Sequence, residues 1–136
     1  MTGIPDGFFF FKTDLLQDSG ENLFSSQIAA NGEVKHLGVS NASVSAYYVA
    51  GALTGYNYGT VTRSYTTGNV VVNTVTGSSV SSAGGFAGWN SGTIEDSYSH
   101  ASARANLTSG GFTAGNQGTL SRVYSIGAPS VLATGG

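Results

Sequence analysis

The sequence predicts an all-β protein built as a parallel β-solenoid, or β-helix, of about four coils with a short N-terminal cap. Three observations predict it: a composition that favours turns, an Asn-x-Gly motif that recurs along the chain, and alternating side chains within each copy. Of 136 residues, 21 are glycine, and serine, threonine and asparagine add 19, 14 and 9. These residue types weaken helices and favour turns, so the composition excludes an ordinary helical domain.

The remaining composition narrows the classes of partner. Hydrophobic residues make up 40% of the chain, enough apolar surface for folding, and the net charge is −2. Five basic residues do not form a nucleic-acid-binding face, and the lack of cysteine excludes disulfides and thiolate metal sites. No segment has the length of a membrane span, and the N-terminus lacks the basic region of a signal peptide. A role outside the cell therefore requires that the chain be a fragment, or that it be exported by a route not visible in the sequence.

An internal repeat organises the chain. Alignment on Asn-x-Gly brings together GYNYGTVTRSYTTG, GWNSGTIEDSYSHA and, more loosely, AGNQGTLSRVYSIG and AANGEVKHLGVSN. Successive anchor glycines are 27, 33 and 26 residues apart, at Gly32, Gly59, Gly92 and Gly118. A period of about 26 residues made of short β-prone runs fits one coil of a solenoid, with one longer insertion.

Stacked coils place equivalent positions above one another, about 4.8 Å apart, so each alignment column becomes a row of neighbouring side chains. Two apolar columns are predicted to form the interior: Val34, Val61, Ile94 and Leu120; and Leu53, Phe86 and Phe112. A half-exposed column contains Glu33, Thr60, Thr93 and Thr119. Strand alternation predicts that Tyr65, Tyr98 and Tyr124 face the same side as Val61 and Ile94, with a carbohydrate-binding platform as the alternative.

Three further columns are polar or aromatic. The residues His36, Arg63, Asp96 and Arg122 predict a charge ladder, whereas the alternative is a catalytic or ligand-binding carboxylate at Asp96 or Glu95. We expect Asn57, Asn90 and Asn116 to be structural, because asparagine accepts left-handed backbone and bonds to the turn above. Tyr56 and Trp89 are the candidate ligand-stacking residues; the alternative is that they shield the edge of the core.

The strings GALTGYNYGTVTRSY and GGFAGWNSGTIEDSY resemble the GLUG repeat of bacterial surface proteins. The resemblance covers about residues 23–132 and is closest in the middle two copies. It implies a β-rich repeat segment of large exported proteins, such as adhesins, haemagglutinin-like proteins and some surface peptidases, in which the repeat is a stalk or adhesive surface. It supplies no catalytic residue. Ala114 and Gly115 depart from the pattern, as does SSQIAANGEV, and these departures predict less regular end coils.

The predicted organisation is a cap or incomplete coil over residues 1–24, with a short helix in TDLLQDSG at 13–20, followed by repeats over 25–136. We expect a non-catalytic structural or adhesive module, secreted or at the cell surface, without cofactor or metal. Its candidate partners are glycans or proteins of a host or matrix, or adjacent repeats of the same array. A carbohydrate-binding module is the alternative, and a polysaccharide-processing enzyme a weaker one. Against catalysis, Glu95 and Asp96 are expected to point to opposite faces, and His36 and His100 lie in different columns.

Overall fold

The computed structural model describes residues 9–12, 21–22, 27–73 and 81–131, and this part of the chain is all-β, without a helix. Strands lengthen where β-branched and small residues alternate, and they end at glycine and asparagine turns. In chain order the strands are β1 (Phe9–Lys12), β2 (Glu21–Asn22), β3 (Gln27–Ile28), β4 (Glu33–Lys35), β5 (Leu37–Ala46), β6 (Val49–Gly51), β7 (Thr54–Asn57), β8 (Thr60–Thr62), β9 (Tyr65–Val72), β10 (Ser82–Gly84), β11 (Ala87–Asn90), β12 (Thr93–Ala105), β13 (Thr108–Gly110), β14 (Thr113–Asn116), β15 (Thr119–Ser125) and β16 (Pro129–Val131).

Three sheets contain the described strands. Sheet A consists of β1, β2, β4, β5, β8, β9, β12, β15 and β16; sheet B of β3, β7, β11 and β14; and sheet C of β6, β10 and β13. The strands pair in parallel, except for β2, which is antiparallel to β5. From β6 onwards the chain passes through sheets C, B and A in that order and then repeats the circuit. The prediction of an all-β chain with parallel strands is confirmed.

The strand register matches the alignment of the repeats. Val61 pairs with Val34 on one side and with Ile94 on the other, and Ile94 pairs in turn with Leu120. Val61 and Ile94 are completely buried, whereas Val34 and Leu120, in the outer rows of this pairing, are half-buried against the same core. The column predicted to be interior therefore forms one continuous row of paired side chains.

The buried side chains of the core follow the paired strands of the sheets and form rows. Leu53 and Phe86 are fully buried and Phe112 is 8% exposed, with the two phenylalanine rings stacked at 4.6 Å. The rest of the core is mostly small and β-branched: Ile28, Leu37, Val39, Ala42, Val44, Ala46, Ala50, Ala52, Val70, Val72, Ala83, Ala87, Ala101, Ala103 and Ala105. Alanine is the most frequent residue in this set.

One column of sheet A has left-handed backbone and displaces the residues that follow it. The φ angles are 55° at His36, 49° at Arg63, 49° at Asp96 and 52° at Arg122. In β12 the buried side chains are Ile94 and then Ser97, so Glu95 and Asp96 both lie outside and the alternation shifts by one residue. A non-glycine residue in this region is uncommon, and here the conformation recurs in every repeat.

This shift corrects the predicted position of the tyrosines. Tyr65 and Tyr98 are half-buried and Tyr124 is 55% exposed, all on the outer side of sheet A, so the prediction that they share the side of Val61 and Ile94 is wrong. Their rings stack along the sheet, at 5.4 Å between Tyr65 and Tyr98 and 5.2 Å between Tyr98 and Tyr124. Simple alternation failed because the left-handed residue lies between the aliphatic and the tyrosine positions.

The same shift overturns the expectation that Glu95 and Asp96 point to opposite faces. Both carboxylates lie near the guanidinium of Arg122: its Nη2 is 3.6 Å from Glu95 Oε1 and 3.1 Å from Asp96 Oδ2, and its Nε also donates to Asp96. The predicted charge ladder is confirmed for this part of the column. Arg63 instead has its Nη1 3.3 Å from His36 Nε2.

The asparagine column forms a buried hydrogen-bond ladder. Asn57 Nδ2 donates to Asn90 Oδ1 at 2.7 Å, and Asn90 Nδ2 donates to Asn116 Oδ1 at 2.7 Å. Asn57 Oδ1 also accepts from the Gly59 amide, which closes the turn. The structural role is confirmed, and it does not use left-handed backbone, since none of the three has a positive φ.

At the N-terminal side, β1 extends sheet A by pairing in parallel with β5, and β2 pairs with the other end of β5. The short helix predicted over 13–20 lies outside the described residues. The division into a cap over 1–24 and repeats over 25–136 stays a prediction.

Candidate ligand-binding groove

A groove of about 340 Å³ lies on the outside of the molecule where sheets B and C meet. One wall consists of Tyr56 on β7 and Trp89 on β11. The other wall comes from sheet C and the residues just before its strands: Val49, Ser81, Ser82, Leu107 and Thr108. We call this feature the B–C groove. It brings together the two residues that the sequence singles out as candidates for ligand stacking.

Parallel register aligns the two walls. Trp89 pairs with Tyr56 in sheet B, and Ser82 pairs with Val49 and with Thr108 in sheet C. The residue after Ser82, Ala83, is fully buried, so strand alternation turns Ser82 outward. The groove is therefore a direct product of the repeat, with equivalent positions of successive circuits lying side by side along it.

The aromatic wall is open because its rings do not stack on one another. Tyr56 stacks on Tyr58, at 6.2 Å and with an interplanar angle of 6°. The Trp89 ring lies over Gly115, where a Cβ would overlap its six-membered ring. Glycine at this position lets the indole lean towards β14, while Tyr58 holds the Tyr56 ring on the other side. The two rings of the wall are held apart, and both border the groove.

The tyrosines of sheet A show the contrasting arrangement. Tyr98 has a ring 5.4 Å away on one side and another 5.2 Å away on the other, so both of its faces are covered. Tyr65 additionally covers Gly38, where a Cβ would meet its ring. The packing raises the pKa of the Tyr98 hydroxyl, chiefly because burial disfavours the phenolate, with smaller contributions from Tyr124 and Tyr65. Ring faces that are already stacked are not available to a ligand.

The lining of the B–C groove is neutral and mixes apolar surface with hydroxyl groups. It contains no Asp, Glu, Lys, Arg or His among the described residues. Ser81 is buried and its Oγ accepts a hydrogen bond from the Asn106 amide at 2.9 Å, which holds that edge of the groove. Ser82 and Thr108 contribute further hydroxyls, and Val49 and Leu107 supply apolar contact. An aromatic wall facing hydroxyls suits a neutral ligand with both apolar and polar faces.

The charged column lies outside this groove, on sheet A. The Asp96 carboxylate accepts two hydrogen bonds from Arg122, and these bonds are the main reason that its pKa lies below the ordinary value. Desolvation opposes them, and the charges of Arg122 and Arg63 lower the pKa further. The same contacts raise the pKa of Arg122. A carboxylate tied to a neighbouring guanidinium in this way acts as part of an exposed ion pair.

No cluster of three or more His, Cys, Asp or Glu residues suited to a metal ion occurs in the part of the chain that the structure describes. Within that part, no helix is long and apolar enough to span a membrane. Comparison of the sequence with protein-family models, with curated proteins and with solved structures gives no match.

One wall of the groove is predicted from the sequence, and the other wall is not. Tyr56 and Trp89 emerge from the asparagine-anchored alignment, and the structure places both beside the same groove. The sheet C wall has its own sequence signal: Val49, Ser82 and Thr108 each precede a glycine by two positions, at Gly51, Gly84 and Gly110. Those glycines follow the same 33- and 26-residue spacing, so this second column could have been found from the repeat.

Proposed function

We propose that this chain is a parallel β-solenoid of about four coils, a GLUG-like repeat segment that serves as a non-catalytic structural or adhesive module of a larger exported protein at the cell surface. The observation that carries the proposal is the register of Val34, Val61, Ile94 and Leu120, one residue per repeat in adjacent strands. Such stacking suits a rod that spaces or displays surfaces, with adjacent repeats of the same array as its natural neighbours.

The arrangement of the acids supports a non-catalytic role. Glu95 and Asp96 both contact Arg122, and Asp96 accepts two hydrogen bonds from it. A glycosidase needs one carboxyl group free to donate a proton and a second placed across the scissile bond. Two adjacent carboxylates that share one guanidinium on an exposed sheet face fit a ladder better than an acid–base pair.

Cysteine cross-linking tests whether successive repeats lie side by side in this register, since the chain has no natural cysteine. Thr60 pairs with Thr93 in sheet A, and Ser82 pairs with Thr108 in sheet C. The variants T60C/T93C and S82C/T108C should each form a disulfide under mild oxidation, because neighbouring Cα atoms lie within bonding range. The offset pair T60C/E95C is the matched control and should not close. Failure of either in-register pair would contradict the solenoid.

Carbohydrate binding is the second candidate function, and the B–C groove favours it. Tyr56 and Trp89 border a neutral groove opposite hydroxyl-bearing residues, and the two rings are not stacked on each other. A glycan array probed with the native chain, Trp89→Ala and Tyr124→Ala separates the candidates. Binding that is lost only in Trp89→Ala supports carbohydrate recognition, whereas no binding by the native chain supports the purely structural role.

A further inference from the structure

We propose that the B–C groove is a short subsite for one neutral hexopyranose ring, at most two, and not a track for a long polysaccharide. This inference rests on carbohydrate binding as the function of the chain and adds the size, charge and extent of the ligand. Its basis is the pair of ring positions at Tyr56 and Trp89, the neutral lining and the end of the aromatic wall one strand to either side.

The uncovered faces of the aromatic rings decide where a sugar can stack. An aromatic side chain binds the C–H face of a sugar only with a ring face that no neighbouring ring covers. In sheet A the stacking of the tyrosine rings covers both faces of Tyr98 and one face each of Tyr65 and Tyr124. In sheet B the Trp89 ring lies towards Gly115, and the Tyr56 ring is stacked on Tyr58. Tyr56 and Trp89 are not stacked on each other, and both border the B–C groove.

The volume of the groove and the length of its aromatic wall limit the size of the ligand. A volume of about 340 Å³ lies at the lower end of the range for small-molecule pockets, about 300–1,000 Å³, which suits one or two sugar rings. The position next to Trp89 in sheet B is Gly115, and the position on the other side of Tyr56 is Gln27. The aromatic wall therefore spans two strands, and among the described residues the next register position of sheet B is not aromatic on either side.

The charge and the hydrogen-bonding groups of the groove lining favour a neutral ligand. Within the described residues the groove lining holds no ionised side chain to balance a uronate or a sulfate, and an uncompensated charge is unfavourable there. Ser82 and Thr108 offer hydroxyls that both donate and accept, which matches the hydroxyls at the edge of a pyranose. Val49 and Leu107 border the same space and add apolar surface to it.

Trp89 makes the test direct, because it is the only tryptophan of the chain and its fluorescence reports on the groove alone. The native chain is titrated with the methyl pyranosides of glucose, galactose and mannose, with the cello- and malto-oligosaccharides of two and four rings, and with glucuronate. We expect at least one neutral pyranoside to shift the Trp89 emission. Any gain in affinity should come between one ring and two. Between two rings and four the affinity should change less than about twofold, and glucuronate should not bind.

Two variants test the geometry. In Gly115→Ala the new Cβ occupies the place of the indole, so the ring must move and sugar binding should weaken about tenfold. Tyr124→Ala, an exposed aromatic of sheet A, is the matched control and should bind as the native chain does. If Gly115→Ala fails to fold, the fluorescence titration of the native chain still decides the proposal.

The outcomes separate this inference from the function on which it rests. Glycan-array binding that survives in Trp89→Ala, with no sugar-dependent change in Trp89 emission, would overturn the groove and leave carbohydrate binding in place. An affinity that keeps rising to four rings, or tight binding of glucuronate, would overturn the short neutral subsite while keeping the groove. Absence of all glycan binding would overturn both.

Discussion

At the residue scale, the left-handed column of sheet A has the largest structural consequence. This column holds a histidine, two arginines and an aspartate, at His36, Arg63, Arg122 and Asp96, yet each adopts a φ between 49° and 55°. The amides of His36 and Arg63 still reach carbonyls of the next repeat, at Thr62 and Glu95, both at 3.1 Å. The conformation is therefore held by the hydrogen bonds between repeats, and it sends two successive side chains to the same face.

A substitution at Arg63 tests whether the left-handed backbone is constrained there. Arg63→Val places a β-branched residue where left-handed backbone is least tolerated, and we expect a loss of about 1–2 kcal/mol in the free energy of unfolding. Arg63→Asn also removes the guanidinium, but asparagine accepts this conformation, so it should cost clearly less. Urea denaturation of both variants measures the difference. Equal losses would mean that the backbone at Arg63 is not constrained.

The Asp96–Arg122 pair makes a prediction about pH. Because Arg122 holds the pKa of Asp96 below its ordinary value, the pair contributes stability above the pKa of the unfolded chain. That contribution is lost as the pH falls through the lower folded pKa. NMR titration should show Asp96 ionising below a normal aspartate, and Arg122→Gln should move its pKa upward. An unchanged titration in Arg122→Gln would show that the hydrogen bonds from Arg122 are not the cause.

At the scale of the elements, the turn between sheets B and A depends on the asparagine ladder. Asn90 is fully buried and bonds to Asn57 and Asn116, while its Oδ1 accepts from the Gly92 amide at 3.2 Å. Its amide serves three strands at once, β7, β11 and β14. Sequence alone predicts this ladder, because an amide that bonds to the same amide in the next repeat needs only equal spacing.

Truncation at the centre of the ladder should be costly. Asn90→Ala removes the side-chain hydrogen bonds that Asn90 makes to Asn57, Asn116 and the Gly92 amide, and we expect a loss of about 2–4 kcal/mol in the free energy of unfolding. Asn116→Ala, at the exposed end of the same ladder, is the control and should cost less than about 1 kcal/mol. Thermal or urea unfolding compares them. Similar costs at the two positions would contradict a cooperative ladder.

The B–C groove also belongs to this scale, because it requires two sheets. Tyr56 and Trp89 are recognisable in the sequence, but the distance between their rings depends on Tyr58 and Gly115. The second wall comes from sheet C, whose strands are only three residues long and carry no strong hydrophobic pattern. The sequence therefore predicts the aromatic wall of the groove but not the wall from sheet C.

At the scale of the whole molecule, stability depends mainly on contacts between neighbouring repeats. The three largest completely buried side chains, Phe86, Leu53 and Ile94, belong to the two middle repeats. Leu120 and Val123, in the last repeat, are only partly buried, and Ile126 and Val131 are exposed. In a fold whose repeats contact only their neighbours, such a gradient should produce unequal local stabilities.

Hydrogen exchange measures this gradient. We expect the amides of β9 and β12 that bond between repeats to exchange most slowly, and those of β15 and β16 to exchange faster by a factor of ten or more, equivalent to ~1.4 kcal/mol. Native-state exchange followed by mass spectrometry or NMR resolves the strands. Uniform protection from β5 to β16 would instead indicate a single cooperative unit and would contradict the gradient.

Spacing and residue type were enough to predict parallel strands, the register of the repeats, the buried aliphatic column and the asparagine ladder. All four require only that equivalent residues lie side by side, which an alignment already expresses. The outward tyrosines, the common face of Glu95 and Asp96, and the open gap beside Trp89 could be seen only in three dimensions. They depend on a backbone angle imposed by hydrogen bonds between repeats, and on ring positions set by a glycine in the next strand.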